Sequence, residues 1–158
     1  SELKDKKLRI EDALNATKAA VQEGIVVGGG AALSEVYLAL KETLKDKNPD
    51  IQKGIDAVMD SLMAPLAQIA DNAGFDSEEI IAKQKVQPKN FGFNALDGTW
   101  VDMFKAAIVD PTKVTRNAVL NSSSISAMFV TTEGAVSEIK EDKPAATPGM
   151  GGAMGGMY

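Results

Sequence analysis

The chain has 158 residues, 44% of them apolar and 5% aromatic, with 17 basic against 22 acidic side chains and a formal net charge of -5. That is enough apolar sequence for one packed core of aliphatic side chains and methionine, and too little clustered positive charge for a nucleic-acid groove. With no Cys and no His, disulfides, thiol nucleophiles, Ser-His-Asp triads and Cys/His zinc sites are excluded, and a metal would have to be a hard cation on oxygen ligands.

Residues 2–23 are expected to form one amphipathic helix. Leu3, Ile10, Ala13, Leu14, Thr17, Ala20 and Val21 recur every three or four positions, which puts them on one stripe. Glu2/Lys6 and Asp5/Arg9 are acid-before-base pairs at i,i+4 that support it. Asp12 falls on the opposite face, where an acid is ordinarily just solvated. Ser1 starts inside this pattern, so the chain reads as a piece of a longer protein. No run reaches the roughly 18 apolar residues that span a membrane, no signal peptide is expected, and the absence of cysteine fits a reducing compartment.

Gly24 ends the helix, and Ile25-Val26-Val27 leads into Gly28-Gly29-Gly30. Three glycines in a row stop one helix before the next begins at Ala31. They also let a backbone approach something closely, with the N–H groups of the next helix start suited to an anion. From these residues alone a plain helix connection is favoured over a phosphate or nucleotide contact, because the spacing matches neither the Rossmann nor the P-loop pattern. The second helix is expected to run from Ala31 to Lys45. A third runs from Asp50 to Ala73, kinked or split at Pro65 and stopped at Asn72-Ala-Gly74. A short fourth helix opens on Asp76-Ser77 with acids in its first turn.

The texture then changes. Phe91-Gly-Phe-Asn94 and Thr99-Trp-Val101 flank Ala95-Leu-Asp-Gly98, a hairpin signal. Asp110-Pro111 opens a long helix to about Val130, with Asp110 read as its N-cap and Pro111 near its first position. Residues 134–139 read as a short strand whose partner is outside the chain. From Lys140 the sequence is charged and proline-bearing, and it ends in a Gly/Met tail, expected to be disordered over 142–158. The fold class is therefore mainly α, a helical bundle with one β-hairpin and a C-terminal edge strand.

Each acid has an ordinary explanation: Asp12 a solvated face, Asp97 a turn, Asp110 a cap. Asn94 before a turn needs no ligand either. Their combination is more specific. Arg9-Ile-Glu-Asp-Ala-Leu-Asn-Ala-Thr-Lys-Ala-Ala20, Glu23-Gly-Ile-Val-Val-Gly-Gly-Gly30, Phe91-Gly-Phe-Asn-Ala95, Asp110-Pro-Thr-Lys-Val-Thr-Arg116 and the repeated Gly-Gly-Met ending occur in order. Together they closely resemble the group I chaperonins, the GroEL-type family, over essentially the whole chain. The match is to the C-terminal third of such a subunit. It implies an intermediate-domain helix over 1–23, the second half of the equatorial ATP-binding domain over 24–141, and the tail over 142–158.

The resemblance also implies roles. Gly29 matches the glycine whose backbone lies against the nucleotide. Asn94, Ala95 and Leu96 match the segment at the adenine end, with Ile108 adding apolar contact to the base. Asp110 matches the acid at the ribose, and Asp12 the catalytic acid that swings in to orient the attacking water. Leu96 stands where many relatives have a small residue. The implied cofactors are ATP and Mg²⁺, with the phosphate loop and the Mg²⁺ ligands outside this chain, so the isolated piece is expected to be inactive. The implied partners are further copies in a double ring of seven-subunit rings, a co-chaperonin of the GroES type and unfolded polypeptides, in the cytoplasm, with no nucleic acid and no membrane. Two other readings stand beside this one: a stand-alone helical interaction module that binds no nucleotide, and a helical enzyme using Asp12 and Asp110 as an acid/base pair.

Overall fold

The computed structural model describes residues 2–138; the expected Gly/Met tail and Ile139, the end of the last expected strand, lie outside them. The elements in order are α1 (Glu2–Glu23), β1 (Ile25–Val27), α2 (Ala31–Leu40), α3 (Pro49–Ser61), α4 (Ala64–Asn72), α5 (Ser77–Gln84), β2 (Phe91–Asn94), β3 (Thr99–Asp102), β4 (Val109–Pro111) and α6 (Thr112–Val130). The fold is mainly α, as the periodicity requires. Among the described residues no helix is long and apolar enough to cross a membrane.

Local chemistry explains most boundaries. The long third helix is split, not kinked: α3 stops at Ser61 and α4 restarts with Pro65 in its first turn, where a missing N–H sacrifices no helical bond. Asn48 caps α3 by accepting from Asp50 N at 2.9 Å, and Asp76 caps α5 by accepting from Glu79 N at 3.0 Å. α2 ends at Leu40, short of the expected Lys45; the Thr43 hydroxyl donates to Leu40 O at 3.2 Å, a local bond that competes with continued helix.

Two small antiparallel sheets form. The hairpin pairs β2 with β3 in the register Phe91↔Asp102 to Asn94↔Thr99, as expected. The second sheet was not expected. It pairs β1 with β4, Ile25↔Pro111, Val26↔Asp110 and Val27↔Val109, so that Ile25-Val26-Val27 is a strand and not merely a helix connection. This also corrects the N-cap reading of Asp110. Pro111 occupies the N-cap of α6 without a side-chain cap bond, and Asp110 belongs to a strand. Residues 134–138 have no regular structure, and Val136 is fully exposed. A strand exists only through its ladder bonds, and no partner for this segment lies among the described residues.

The core has two parts. Leu66, Ala70, Ile80 and Phe93 join α4, α5 and the hairpin, with Ala95 and Trp100 at the margin. Val27, Ala31 and Met103 join β1, α2 and the segment after β3, with Ile108 packed against them. Each fully buried Leu or Phe of this kind contributes about 1.5–3 kcal/mol. α1 contributes nothing to either part: it has no buried residue, and Leu3, Ile10, Leu14 and Val21 are all exposed. The two expected i,i+4 pairs are absent among the described residues, and Lys7–Glu11 at 3.4 Å forms in their place.

α1 is tied down at its C-terminal end. Arg116 grips Glu23 through two hydrogen bonds of 2.7 and 3.1 Å, and Lys113 Nζ donates to Gln22 Oε1 at 2.6 Å. The Arg116 bond holds the Glu23 carboxyl below its ordinary range. A depressed carboxylate stabilises the fold above the ordinary Glu value and loses that effect as pH falls through the lowered one. Wild-type protein should therefore melt slightly above Glu23→Gln at pH 7. The gap should close in acid and shrink in high salt, as pH- and salt-dependent thermal unfolding would read directly.

Candidate functional site

The β1–β4 ladder gathers three of the expected site residues. β1 runs straight into Gly28, whose N–H donates to Ile108 O at 2.9 Å. A Cβ on Gly28 would sit 3.1 Å from both Ile108 C and Val109 N, so a larger residue would push the two backbones apart. Gly29 has φ 62, and a Cβ there would lie 2.9 Å from the Met103 Cε methyl, 3.5 Å from Phe93 O and 4.0 Å from Ile108 Cγ2. Gly29 thus touches Ile108 directly, with Asp110 two residues further along β4. The missing Cβ atoms are accounted for by the protein's own chain, which supports the connection reading of the glycines at the side-chain face. Their N–H groups are another matter. Those of Gly29 and Gly30, just before α2, meet no acceptor among the described residues. Donors of this kind at a helix N-terminus suit an anion.

Asp110 is only partly exposed. Its carboxylate has no hydrogen bond or ion pair among the described residues, and burial raises its pKa above the ordinary Asp range. The structure thus holds a desolvated acceptor on β4 and, in the glycine turn that follows its partner strand β1, backbone donors with no acceptor among the described residues. That combination suits a ligand with an anionic end and hydroxyl groups.

The hairpin turn reaches the same region through Phe93, whose carbonyl faces Gly29. Asn94 is occupied locally: its Oδ1 accepts from Leu96 N at 3.1 Å and its carbonyl accepts from Gly98 N at 2.9 Å. Its amide nitrogen has no partner among the described residues. Ala95 packs against the Leu66–Phe93 core, whereas Leu96 is 93% exposed. Asp12 is not brought to this group. It is exposed on α1, eleven residues before Glu23 and so about 16 Å up the helix from the end that meets β4. Asp12 and Asp110 therefore cannot share a proton-transfer site in this conformation.

Two clefts lie nearby. One of about 640 Å³ runs along β1, α2 and residues 84–90. The other, about 490 Å³ and almost wholly apolar, lies between α2, α3 and α6. Neither takes in Gly29, Asn94 or Asp110. No cluster of three or more carboxylates able to hold a metal forms among the described residues. Sequence reasoning missed Glu35, which accepts from Asn90 N at 2.5 Å, and Gln84, buried and donating to Phe91 O at 2.9 Å. Both hold the start of the hairpin. Only the apolar residues around Gln84 hinted at its burial.

The model of the TCP-1/cpn60 chaperonin family matches residues 1–140. The chaperonin GroEL of Acholeplasma laidlawii (strain PG-8A) is 63% identical over 141 residues, which cover 89% of this chain and 26% of that protein. The chaperonin GroEL of Onion yellows phytoplasma (strain OY-M) is 62% identical over 143 residues, 90% of this chain and 27% of that protein. Among solved structures, the open-state monomer of a group II chaperonin from Methanococcoides burtonii superposes with a TM-score of 0.68 at 28% identity, over 77% of this chain and 32% of that one. The chain spans about a quarter of the length of these curated relatives.

Proposed function

This chain belongs to the TCP-1/cpn60 chaperonin family, and from that premise we propose that it supplies the ribose and base side of the ATP site in a ring-forming protein-folding machine. Residues 1–23 are the intermediate-domain segment and residues 24–141 the second half of the equatorial domain. The observation that supports this reading is the Asp110 carboxylate, partly buried and without a partner among the described residues, on the strand that pairs with the one leading into Gly28-Gly29-Gly30. Asp110 accepts from ribose hydroxyls. The backbone of Gly29 lies against the nucleotide. Ile108 and the Asn94–Leu96 turn meet the base. Asp12 orients the attacking water once α1 closes over the site. ATP with Mg²⁺ would supply the binding energy for domain closure and the phosphoanhydride hydrolysed after it, and the Mg²⁺ ligands come from parts of the subunit beyond this stretch. The whole subunit assembles as a double ring in the cytoplasm, is capped by a GroES-type co-chaperonin and encloses non-native polypeptides. The rest of the subunit covers the apolar faces left open on α1 and α6.

Asp110→Asn in the full-length subunit tests the reading. ATP affinity should fall by about tenfold or more. A carboxyl with a raised native pKa costs stability above that value and ceases to cost it once pH falls below the ordinary Asp range. So the nucleotide-free variant should melt about 1–3 °C higher than wild type at pH 7 and no higher in acid. Unchanged ATP affinity would remove Asp110 from the site.

A further inference from the structure

We propose that Phe75 is a positioning residue for the base end of the site, acting through Gly98 and Phe93 to seat the turn that carries Asn94, Ala95 and Leu96. The inference rests on the reading above, in which that turn meets the base.

Phe75 is held where two helix ends meet. α4 closes with Gly74 at φ 81, and Phe75 N reaches back to Ala70 O at 3.0 Å, the six-to-one bond of a Schellman end. The next residue, Asp76, caps α5. Backbone bonds on both sides therefore fix the point from which the ring projects. Two neighbours of the ring lie in the hairpin. Phe93 meets it edge-on, with centroids 5.1 Å apart and planes at 79°, a favoured aromatic geometry. Gly98 lies against its far end: a Cβ there would stand 2.8 Å from Cζ and 2.9 Å from Cε1 of Phe75.

The turn settles its own shape. Gly98 N bonds Asn94 O, Asn94 Oδ1 takes Leu96 N, and Asp97 Oδ1 takes both Thr99 N at 3.1 Å and its hydroxyl at 2.7 Å. These bonds are all within the turn and say nothing about where it sits on the protein. Its placement comes from contacts outside it. Ala95 packs on the core, and Gly98 rests on the Phe75 ring. Phe75 itself is 39% exposed, whereas Phe93 is 1% exposed. Removing the Phe75 ring therefore takes the support from under the turn without opening the centre of the core.

The test is steady-state ATP hydrolysis by the full-length assembled protein carrying Phe75→Ala or Phe75→Leu, with inorganic tripolyphosphate as a competitor that has no base. Phe75→Ala should raise the KM for ATP about tenfold and weaken discrimination against CTP, with kcat within about twofold. Inhibition by tripolyphosphate should not change. A purely structural role would lower active-site concentration and leave KM, base preference and tripolyphosphate inhibition as in wild type; that result overturns the proposal. Phe75→Leu should show the same pattern at smaller size. Should Phe75→Ala fail to assemble, Phe75→Leu and Gly98→Ala, which disturbs the same contact from the other side, decide the question by the same criteria. Asn94→Ala is the control for the underlying reading. If it leaves ATP KM and base preference untouched, the turn does not meet the base. If it moves them while the Phe75 variants do not, only the positioning role fails.

Discussion

In the full-length subunit, Asp12→Ala should lower kcat for ATP hydrolysis by at least about a hundredfold while the KM for ATP stays within about threefold. The split follows from where Asp12 stands. It is exposed on a helix with no buried residue, about 16 Å along that helix from the end attached to β4. It therefore contributes nothing to ground-state binding in this conformation. The attachment itself is well defined: Glu23 and Gln22 are held by Arg116 and Lys113 of α6, and Gly24 follows at φ 80, its carbonyl accepting from Thr112 N at 3.1 Å and nothing standing within 4 Å of where its Cβ would be. A straight helix fixed at one end beside a glycine is suited to swing as a lever. On the function proposed above, an acid on its far portion would reach the γ-phosphate only after closure. Single-turnover and steady-state measurements on the variant separate the two effects. A collapse of ATP affinity with kcat preserved would assign Asp12 to binding and sink the lever argument.

Several boundaries are legible in the sequence because the physics that sets them is local. Pro65 breaks a helix because its ring and missing N–H act on the same few residues, and the structure breaks there. Asp76 caps α5 through a bond to Glu79, three residues on. Asp-Gly between β-branched and aromatic residues turns the hairpin. What was illegible depends on residues far apart in the chain. Ile25-Val26-Val27 becomes a strand only because Val109 and Asp110 come alongside, more than eighty positions later. The same pairing takes Asp110 out of the helix cap that Pro111-Thr112 suggested. The stripe on α1 is real as periodicity, but it is not buried within this chain. For the candidate site, the individual residues carried little weight until a family pattern joined them. The structure then placed Gly29, Ile108 and Asp110 together and left Asp12 apart. Gly98 was legible only as a turn residue and Phe75 not at all, because a ring under a turn has no periodic signature.

Gly30→Ala should be the most destabilising single methyl added to this chain, by about 3 kcal/mol out of the 5–15 typical of a domain. Two costs add. Gly30 has φ 78, and placing an L side chain in that region costs about 1–2 kcal/mol. A Cβ would also stand 2.8 Å from Leu66 N and 2.9 Å from Leu66 Cα. Those are backbone atoms of α4 at a fully buried position, so the start of α2 and α4 must move apart, with an overpacking cost of about 1–3 kcal/mol. Two other glycines separate the terms. Gly24 has φ 80 but nothing within 4 Å of its would-be Cβ, so Gly24→Ala should show the dihedral cost alone. Gly54 lies in the exposed middle of α3 with open space and no positive φ. Gly54→Ala should stabilise by about 0.5–1 kcal/mol, because alanine favours helix. Urea unfolding of the three variants should therefore order them Gly54→Ala above wild type, then Gly24→Ala, then Gly30→Ala. If Gly30→Ala matched Gly24→Ala, α2 would not be held against α4 at Leu66, and the placement of the Gly29 and Gly30 donors would lose its structural support.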